Sequence, residues 1–324
     1  MTMQLEQVVT PLNVAFGAML TGIRRADLED PEFRELAYQL WAEHRGLLGV
    51  RGEDLAELTP EELVHWSENF GRVETERLAA REQRMVGGHP ILRIGNTVDA
   101  SGEPNATFSN VPILESDADV QYNPQTRRPV WHTDSTFKMN PPIGSVFHCR
   151  QAPPRGGDTL FADTCGAYDA LEPEQKATLS GLEAVCSLAH HDKKISLYTP
   201  NYPTLTPEQR AANPPNRVPV VLEHPVTGKP ALYGLNSSTC MLVQEGEPVS
   251  AADLDRFDLE GVEDDSVLVL RDLLPHITSP PFTVRWQWES GDIVVWDNRC
   301  TMHSASGFDA EHHTREMWRL TLLD

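Results

Sequence analysis

Near the start of the chain, apolar residues recur at helical spacing. Phe33, Leu36, Ala37, Leu40 and Trp41 follow Asp30-Pro31, a cap and first-turn pair, and predict a helix there. Thr59-Pro60-Glu61-Glu62 has the form of a capping box, and Leu63, Trp66 and Phe70 line one face of the helix behind it. These aromatics read as core. Further on the period changes. Short apolar runs over 144–150, 158–163, 218–222, 231–235, 282–288, 292–297 and 315–323 are separated, for the most part, by turn residues. They predict antiparallel strands of a sandwich or jelly roll rather than βαβ units. The strands need the N-terminal helices to cover them, so the expected class is mainly β with α (α+β), as one domain over residues 1–324. Two polar stretches, 98–130 and 190–217, carry no period. Irregular segments of that length inside a compact domain are usually functional or disordered, and both are expected to be lid loops.

Composition narrows the partners. Of 324 residues, 27 are Lys or Arg and 48 are Asp or Glu, a formal net charge of −21. A surface of that sign does not attract nucleic acid or anionic membranes. An anionic small molecule remains open, provided that a few arginines are gathered locally. No run of 18 apolar residues occurs, so no membrane span is expected. The N-terminus lacks a basic, then apolar, secretory signal. The five cysteines are widely spaced without a Cys-x-x-Cys, which predicts a reducing, cytoplasmic setting with no disulfide framework.

The candidate chemistry starts at Trp131-His132-Thr133-Asp134-Ser135-Thr136-Phe137. On a strand, His132 and Asp134 would share a face, as two ligands of one metal must. A second His-x-Asp, His190-His191-Asp192, sits beside Lys193 and Lys194, whose charges oppose a cation. It reads as a loop or pocket rim. Near the C-terminus an apolar strand over 292–297 leads to His303. Two imidazoles and one carboxylate suit non-haem Fe(II), because they take one face of an octahedron and leave three positions open. Zinc is the competitor. The last run adds a cation: Arg315, Met317 and Arg319 alternate with Trp318, Leu320 and Leu322. If the apolar set packs against helices, two arginines point inward, which is costly unless an anion or an internal carboxylate meets them.

On these residues the chain resembles the TauD/TfdA (taurine dioxygenase-like) family of Fe(II)- and 2-oxoglutarate-dependent dioxygenases. The resemblance covers nearly the whole chain. It rests on WHTDSTF around His132, GGDTLFAD over 156–163, HPVTGKPALY over 224–233 and VRWQWESGDIVVWDNRCTMH over 284–303. It implies a double-stranded β-helix (jelly-roll) core wrapped by helices. It implies His132, Asp134 and His303 as iron ligands, and Thr159 and Arg315 as partners of the distal carboxylate of 2-oxoglutarate. Arg319 matches the position that meets the substrate's sulfonate in taurine dioxygenase. Trp296 and Asn298 read as structural, and Asp297 as either a support for His303 or a turn residue.

The chain also departs from taurine dioxygenase. Arg72 to Arg77 lacks the His and Tyr of that enzyme's substrate site, and Arg128 stands where it has an asparagine. Taurine is therefore not implied, and Arg128 is a candidate substrate contact. The resemblance implies O2-dependent oxidation, most simply hydroxylation, of an unactivated C–H bond in a small or medium organic anion, with release of succinate and CO2. Desaturation or ring modification would use the same chemistry. A homo-oligomer is left open. Two readings from other classes are a non-catalytic metal-binding jelly roll, which would call for a damaged triad or cosubstrate arginine where none is damaged, and a zinc hydrolase, which gives no reason for Thr159 and Arg315.

Overall fold

Both predicted caps form. Asp30 accepts from the Glu32 N–H at the start of α1 (Pro31–Glu43), and Thr59 and Glu62 make reciprocal bonds at the start of α2 (Pro60–Ser67). The computed structural model describes residues 8–13, 15–75, 85–103, 105–106, 131–198, 204–236, 238–250 and 272–324. Its largest sheet has eight strands. They are β1 (Val8–Pro11), β2 (Ala18–Ile23), β3 (Leu47–Gly52), β4 (Arg72–Val73), β5 (Leu92–Gly95), β6 (Gly144–Gln151), β14 (Ile293–Asp297) and β16 (Glu316–Leu323). The order is β1-β2-β3-β14-β6-β16-β4, with β5 also on β16. All pairings are antiparallel except β2 with β3.

A three-stranded sheet, β13 (Thr283–Trp286), β7 (Thr159–Asp163) and β15 (Thr301–Ala305), faces the large one. Strand alternation sorts the side chains between layers. On β14, Val294 and Trp296 join Phe147, Phe161, Trp286 and Met317 in a core between the two sheets. Ile293 and Val295 point the other way, into a core with Phe33, Trp41, Leu63 and Trp66 of the helices. β16 divides as its sequence predicts, with Trp318, Leu320 and Leu322 on the helix side. The result is a jelly-roll sandwich with helices on its outer face.

The second expected lid, 190–217, is not irregular. Past α3 (Thr164–Asp169) and α4 (Pro173–Leu179), α5 (Leu188–Tyr198) and α6 (Pro207–Ala212) occupy its described part, and β9 (Asn216–Pro219) begins at its end. Ser187 accepts from the His190 N–H, and Thr206 and Gln209 form a capping box. These caps outweigh the proline-rich composition between the helices. The segment read as one strand over 218–222 is divided between β9 and β10 (Val221–Glu223). The latter pairs with β11 (Pro230–Leu232). The sequence reading did not single out β8 (Leu182–Cys186) or β12 (Thr239–Gln244), which pair with each other. The first expected lid lies outside the described residues from 107 onward. Among the described residues no helix is long and apolar enough to cross a membrane.

One buried titratable group on β6 makes stability depend on pH. His148 bonds the Leu55 carbonyl at 2.8 Å through Nε2, and its Nδ1 has no hydrogen-bond partner among the described residues. Burial, aided by the Arg150 charge, pushes its pKa from 6.5 down to about 3. The unfolded chain therefore takes up a proton below 6.5 while the folded chain does not. The contribution to stability is intact above that value. It is lost as pH falls from 6.5 toward 3, by up to about 1.4 kcal/mol per pH unit. Thermal unfolding at falling pH is expected to show a shallower loss for His148→Leu than for the wild type. Parallel curves would contradict this.

Candidate active site

The two site histidines are joined across the sandwich by their backbones. The His132 N–H donates to the His303 carbonyl at 2.9 Å, and the His303 N–H donates back at 2.8 Å. This isolated bridge brings the imidazoles together, tilted by 49° with centroids 4.2 Å apart. His132 and Asp134 are not on one continuous strand, contrary to the sequence reading. After the bridge the chain turns, with Ser135 at φ +49°. The turn rather than strand alternation carries Asp134 back toward the imidazoles. Buried amides hold this turn in place. Asn236 donates to Thr136 Oγ1 at 2.6 Å, and Asn216 donates to the carbonyls of Thr136 and Lys138 at 3.0 and 2.7 Å.

The three candidate ligands converge. One donor atom from each of His132, Asp134 and His303 lies within 4.8 Å of the others. Asp134 Oδ1 is 3.9 Å from His132 Nε2 and 3.8 Å from His303 Nε2. Asp134 and His303 are buried, while the His132 side chain is 39% exposed, so the site opens on that side. Burial pushes the Asp134 carboxyl up, but the Arg319 guanidinium and then the two imidazoles outweigh it and hold it well below the usual carboxylate range. Burial, then the neighbouring charges of His132 and Arg319, push His303 down to about 3 against the pull of Asp134. A carboxylate and a neutral imidazole are the forms that bind a divalent metal. The donor set therefore fits Fe(II).

A second His/Asp/Cys group, His224, Asp297 and Cys300, is as compact but differs chemically. His224 Nδ1 accepts from the Val226 and Thr227 N–H groups, so Nε2 carries the proton and donates it to Asp297 at 3.0 Å. Arg299 takes both Asp297 oxygens from the other side. The donors are consumed by each other, and a cation already neutralises the carboxylate. This also corrects the reading of Asp297 as a support for His303, because its carboxylate bonds are to Arg299 and His224. Trp296 and Asn298 hold each other, as the structural reading expects, through an indole N–H to Oδ1 bond of 3.1 Å.

Arg315 enters the sandwich just before β16, and the conformation of Gly157 lets it. Gly157 has φ +66°, and a Cβ there would sit 3.0 Å from Arg315 Cδ. Arg315 Nε donates to the Gly157 carbonyl at 2.9 Å, and its backbone N–H donates to Asn96 Oδ1. It is buried, yet among the described residues no carboxylate lies in ion-pair range of it. Nearby Asp158 gives its carboxylate to Arg285 at 2.9 Å. Burial pushes Arg315 down to about 10, so it remains cationic at neutral pH. A buried, unmatched guanidinium is what an anionic cosubstrate would neutralise. Thr159, on β7, receives the Trp288 indole N–H on its Oγ1 at 3.0 Å. Its hydroxyl proton is left to donate elsewhere.

Arg319, on β16 itself, differs from Arg315. Its Nη2 is 2.6 Å from Asp134 Oδ2 and 3.3 Å from Ser145 Oγ, while its buried Nε has no partner among the described residues. The sequence reading placed Arg319 near an anion but missed its pairing with Asp134. It also missed Ser145, Trp288, Asn216 and Asn236. Gly157 and Trp288 lie in quoted motifs, and Ser145, Asn216 and Asn236 carried no local signal. Arg128, the remaining candidate, lies outside the described residues.

Comparison with known proteins covers nearly the whole chain. Residues 9–321 match the profile of the "Taurine catabolism dioxygenase TauD, TfdA family". The alpha-ketoglutarate-dependent 2,4-dichlorophenoxyacetate dioxygenase of Cupriavidus pinatubonensis is 28% identical over 98% of this chain and 98% of its own length. The (S)-phenoxypropionate/alpha-ketoglutarate-dioxygenase of Sphingobium herbicidovorans is 29% identical over 96% and 92%. Among solved structures, a taurine dioxygenase from Burkholderia xenovorans superposes with a TM-score of 0.67 at 26% identity, over 98% of this chain and 89% of that one.

Proposed function

Because the chain belongs to the TauD/TfdA family of dioxygenases, we propose that His132, Asp134 and His303 hold one Fe(II). We propose further that Thr159 and Arg315 take the distal carboxylate of 2-oxoglutarate, also called alpha-ketoglutarate. Arg319 then receives the acid group of a small organic anion that is hydroxylated. When bound, Fe(II) and 2-oxoglutarate supply, with O2, a two-electron oxidation: substrate C–H becomes C–OH while 2-oxoglutarate yields succinate and CO2.

The chain's own residues do the positioning. His303 is kept neutral by burial, so its lone pair is available at neutral pH. The Trp288 indole occupies one side of the Thr159 hydroxyl and leaves the proton free to donate to a carboxylate. The Arg315 fork suits a bidentate pairing that a lysine would not make. Phe147, Phe161, Trp296 and Met317 form the apolar lining between the sheets. They exclude water and strengthen the charge pairing. The buried Arg315 without a carboxylate partner among the described residues is the observation that carries this reading. A zinc hydrolase would have no use for it. The widely spaced cysteines support a reducing, cytoplasmic setting.

The test of substrate class is a panel scored by succinate release: alkyl sulfonates, sulfate esters, phenoxyalkanoates and other carboxylates, each with an uncharged analogue. A charge-assisted bond at Arg319 favours the acid over its amide by about 10- to 100-fold in kcat/KM. That preference is expected to disappear in Arg319→Gln. If the variant kept the same preference, the substrate acid would bind elsewhere.

A further inference from the structure

We infer that Ser145 and Arg319 act as a clamp that restricts Asp134 to binding the metal through a single oxygen. This inference rests on the metal site proposed above and gives the site two positioning residues.

The two oxygens of Asp134 are in different surroundings. Oδ1 faces both imidazole Nε2 atoms, at 3.9 and 3.8 Å. Oδ2 accepts from Ser145 Oγ at 3.1 Å and pairs with Arg319 Nη2 at 2.6 Å. The clamp members also hold each other, since Arg319 Nη2 donates to Ser145 Oγ at 3.3 Å. A serine hydroxyl has one proton. Because its oxygen accepts from the guanidinium, its proton is directed to the carboxylate.

Sheet register sets this arrangement. Ser145 on β6 lies opposite Thr321 on β16, and Arg319 is two residues before Thr321. The two side chains are therefore diagonal neighbours on one face of the sheet. Asp134 comes from a turn outside the sheet and rests on that pair. Ser145 is fully buried, so water does not compete for its proton.

The clamp has a chemical consequence. Three protein donors leave three of six positions open on an octahedral ion. Were Asp134 to swing and present both oxygens, one of those positions would be lost, and 2-oxoglutarate and O2 together need all three. Ser145 and Arg319 keep Oδ2 occupied. Arg319 can do this and still meet a substrate, because among the described residues only its Nη2 makes the clamp contacts and the side chain keeps 18% exposure.

The experiment measures metal binding without turnover. Mn(II) affinity is titrated by electron paramagnetic resonance, and the Co(II) visible spectrum is recorded, for wild type, Ser145→Ala and Arg319→Lys. Outer-shell losses weaken metal binding about 10- to 100-fold, and Ser145→Ala is expected at the lower end of that range. The Co(II) bands of both variants should shift, because coordination geometry changes. Ser145→Ala removes one buried atom and is expected to fold. Arg319→Lys keeps the charge, loses the fork and serves as the second probe. Mn(II) affinities within about twofold of wild type together with unchanged Co(II) spectra would overturn the clamp. If the wild type itself bound no single Mn(II), the metal site would fall, and the clamp with it.

Discussion

His303→Ala leaves a folded protein with almost no turnover. Substrate-dependent succinate release is expected to fall below about 1% of wild type, beyond the range seen when only an outer-shell partner is lost. His303 is one of three donors and is buried to 8% side-chain exposure, so no water-exposed group stands ready to replace it. Its removal also deprives Asp134 of one of the positive or polar neighbours that hold its carboxyl low. The backbone bridge between residues 132 and 303 does not need the imidazole and should persist. Assay of the purified variant with saturating Fe(II) and 2-oxoglutarate checks this. Activity above a tenth of wild type would contradict it.

Arg315→Met has the opposite signature, because it spares the metal and removes the cosubstrate's partner. Losing one side of a buried charged pairing costs about 2–4 kcal/mol, or roughly 30- to 1000-fold in 2-oxoglutarate affinity. Mn(II) affinity measured without 2-oxoglutarate should stay close to wild type. The thermal midpoint without cosubstrate should be equal or higher. Arg315 is a buried cation with no carboxylate partner among the described residues, and the shorter, uncharged methionine removes that burden. Isothermal titration with 2-oxoglutarate and a thermal melt measure both halves. A melt that falls by many degrees would mean that Arg315 is an internal structural pair.

Where local chemistry decides the structure, the sequence was legible. Asp30-Pro31 and Thr59-Pro60-Glu61-Glu62 mark helix starts because their side chains satisfy N–H groups within three residues. The alternation of β16 was readable because its apolar residues share the face that meets the helices, whereas β14 reads as a continuous apolar run whose two faces are sorted only by the layers they meet. His132, Asp134, His303 and the two arginines could be singled out by residue type and spacing. Their convergence depends on residues 171 positions apart in the chain, from 132 to 303, meeting at a two-residue bridge.

What could not be read depends on tertiary contacts. The pairing of Arg319 with Asp134 needs a turn whose geometry is set by Asn216, on β9, and Asn236, in the loop between β11 and β12. Ser145 resembles any small residue in an apolar run, and only the register of β6 against β16 gives it a role. The helix α6 was hidden because its cap sits among prolines and asparagines, whose composition reads as loop, and α5 because its polar run of histidines and lysines shows no clear apolar stripe. Asp297 was ambiguous, since whether it serves His303 or Arg299 depends on which side of β14 its carboxylate leaves.

The most direct test is the visible spectrum of the wild type under anaerobic conditions, as Fe(II) and then 2-oxoglutarate are added. A weak charge-transfer band should appear only when both are present, saturate at one Fe(II) per chain, be absent in His303→Ala, and require far more 2-oxoglutarate in Arg315→Met. No band in the wild type, or a band that saturates identically in all three proteins, would contradict the assignment of these side chains to one ferrous site and its cosubstrate.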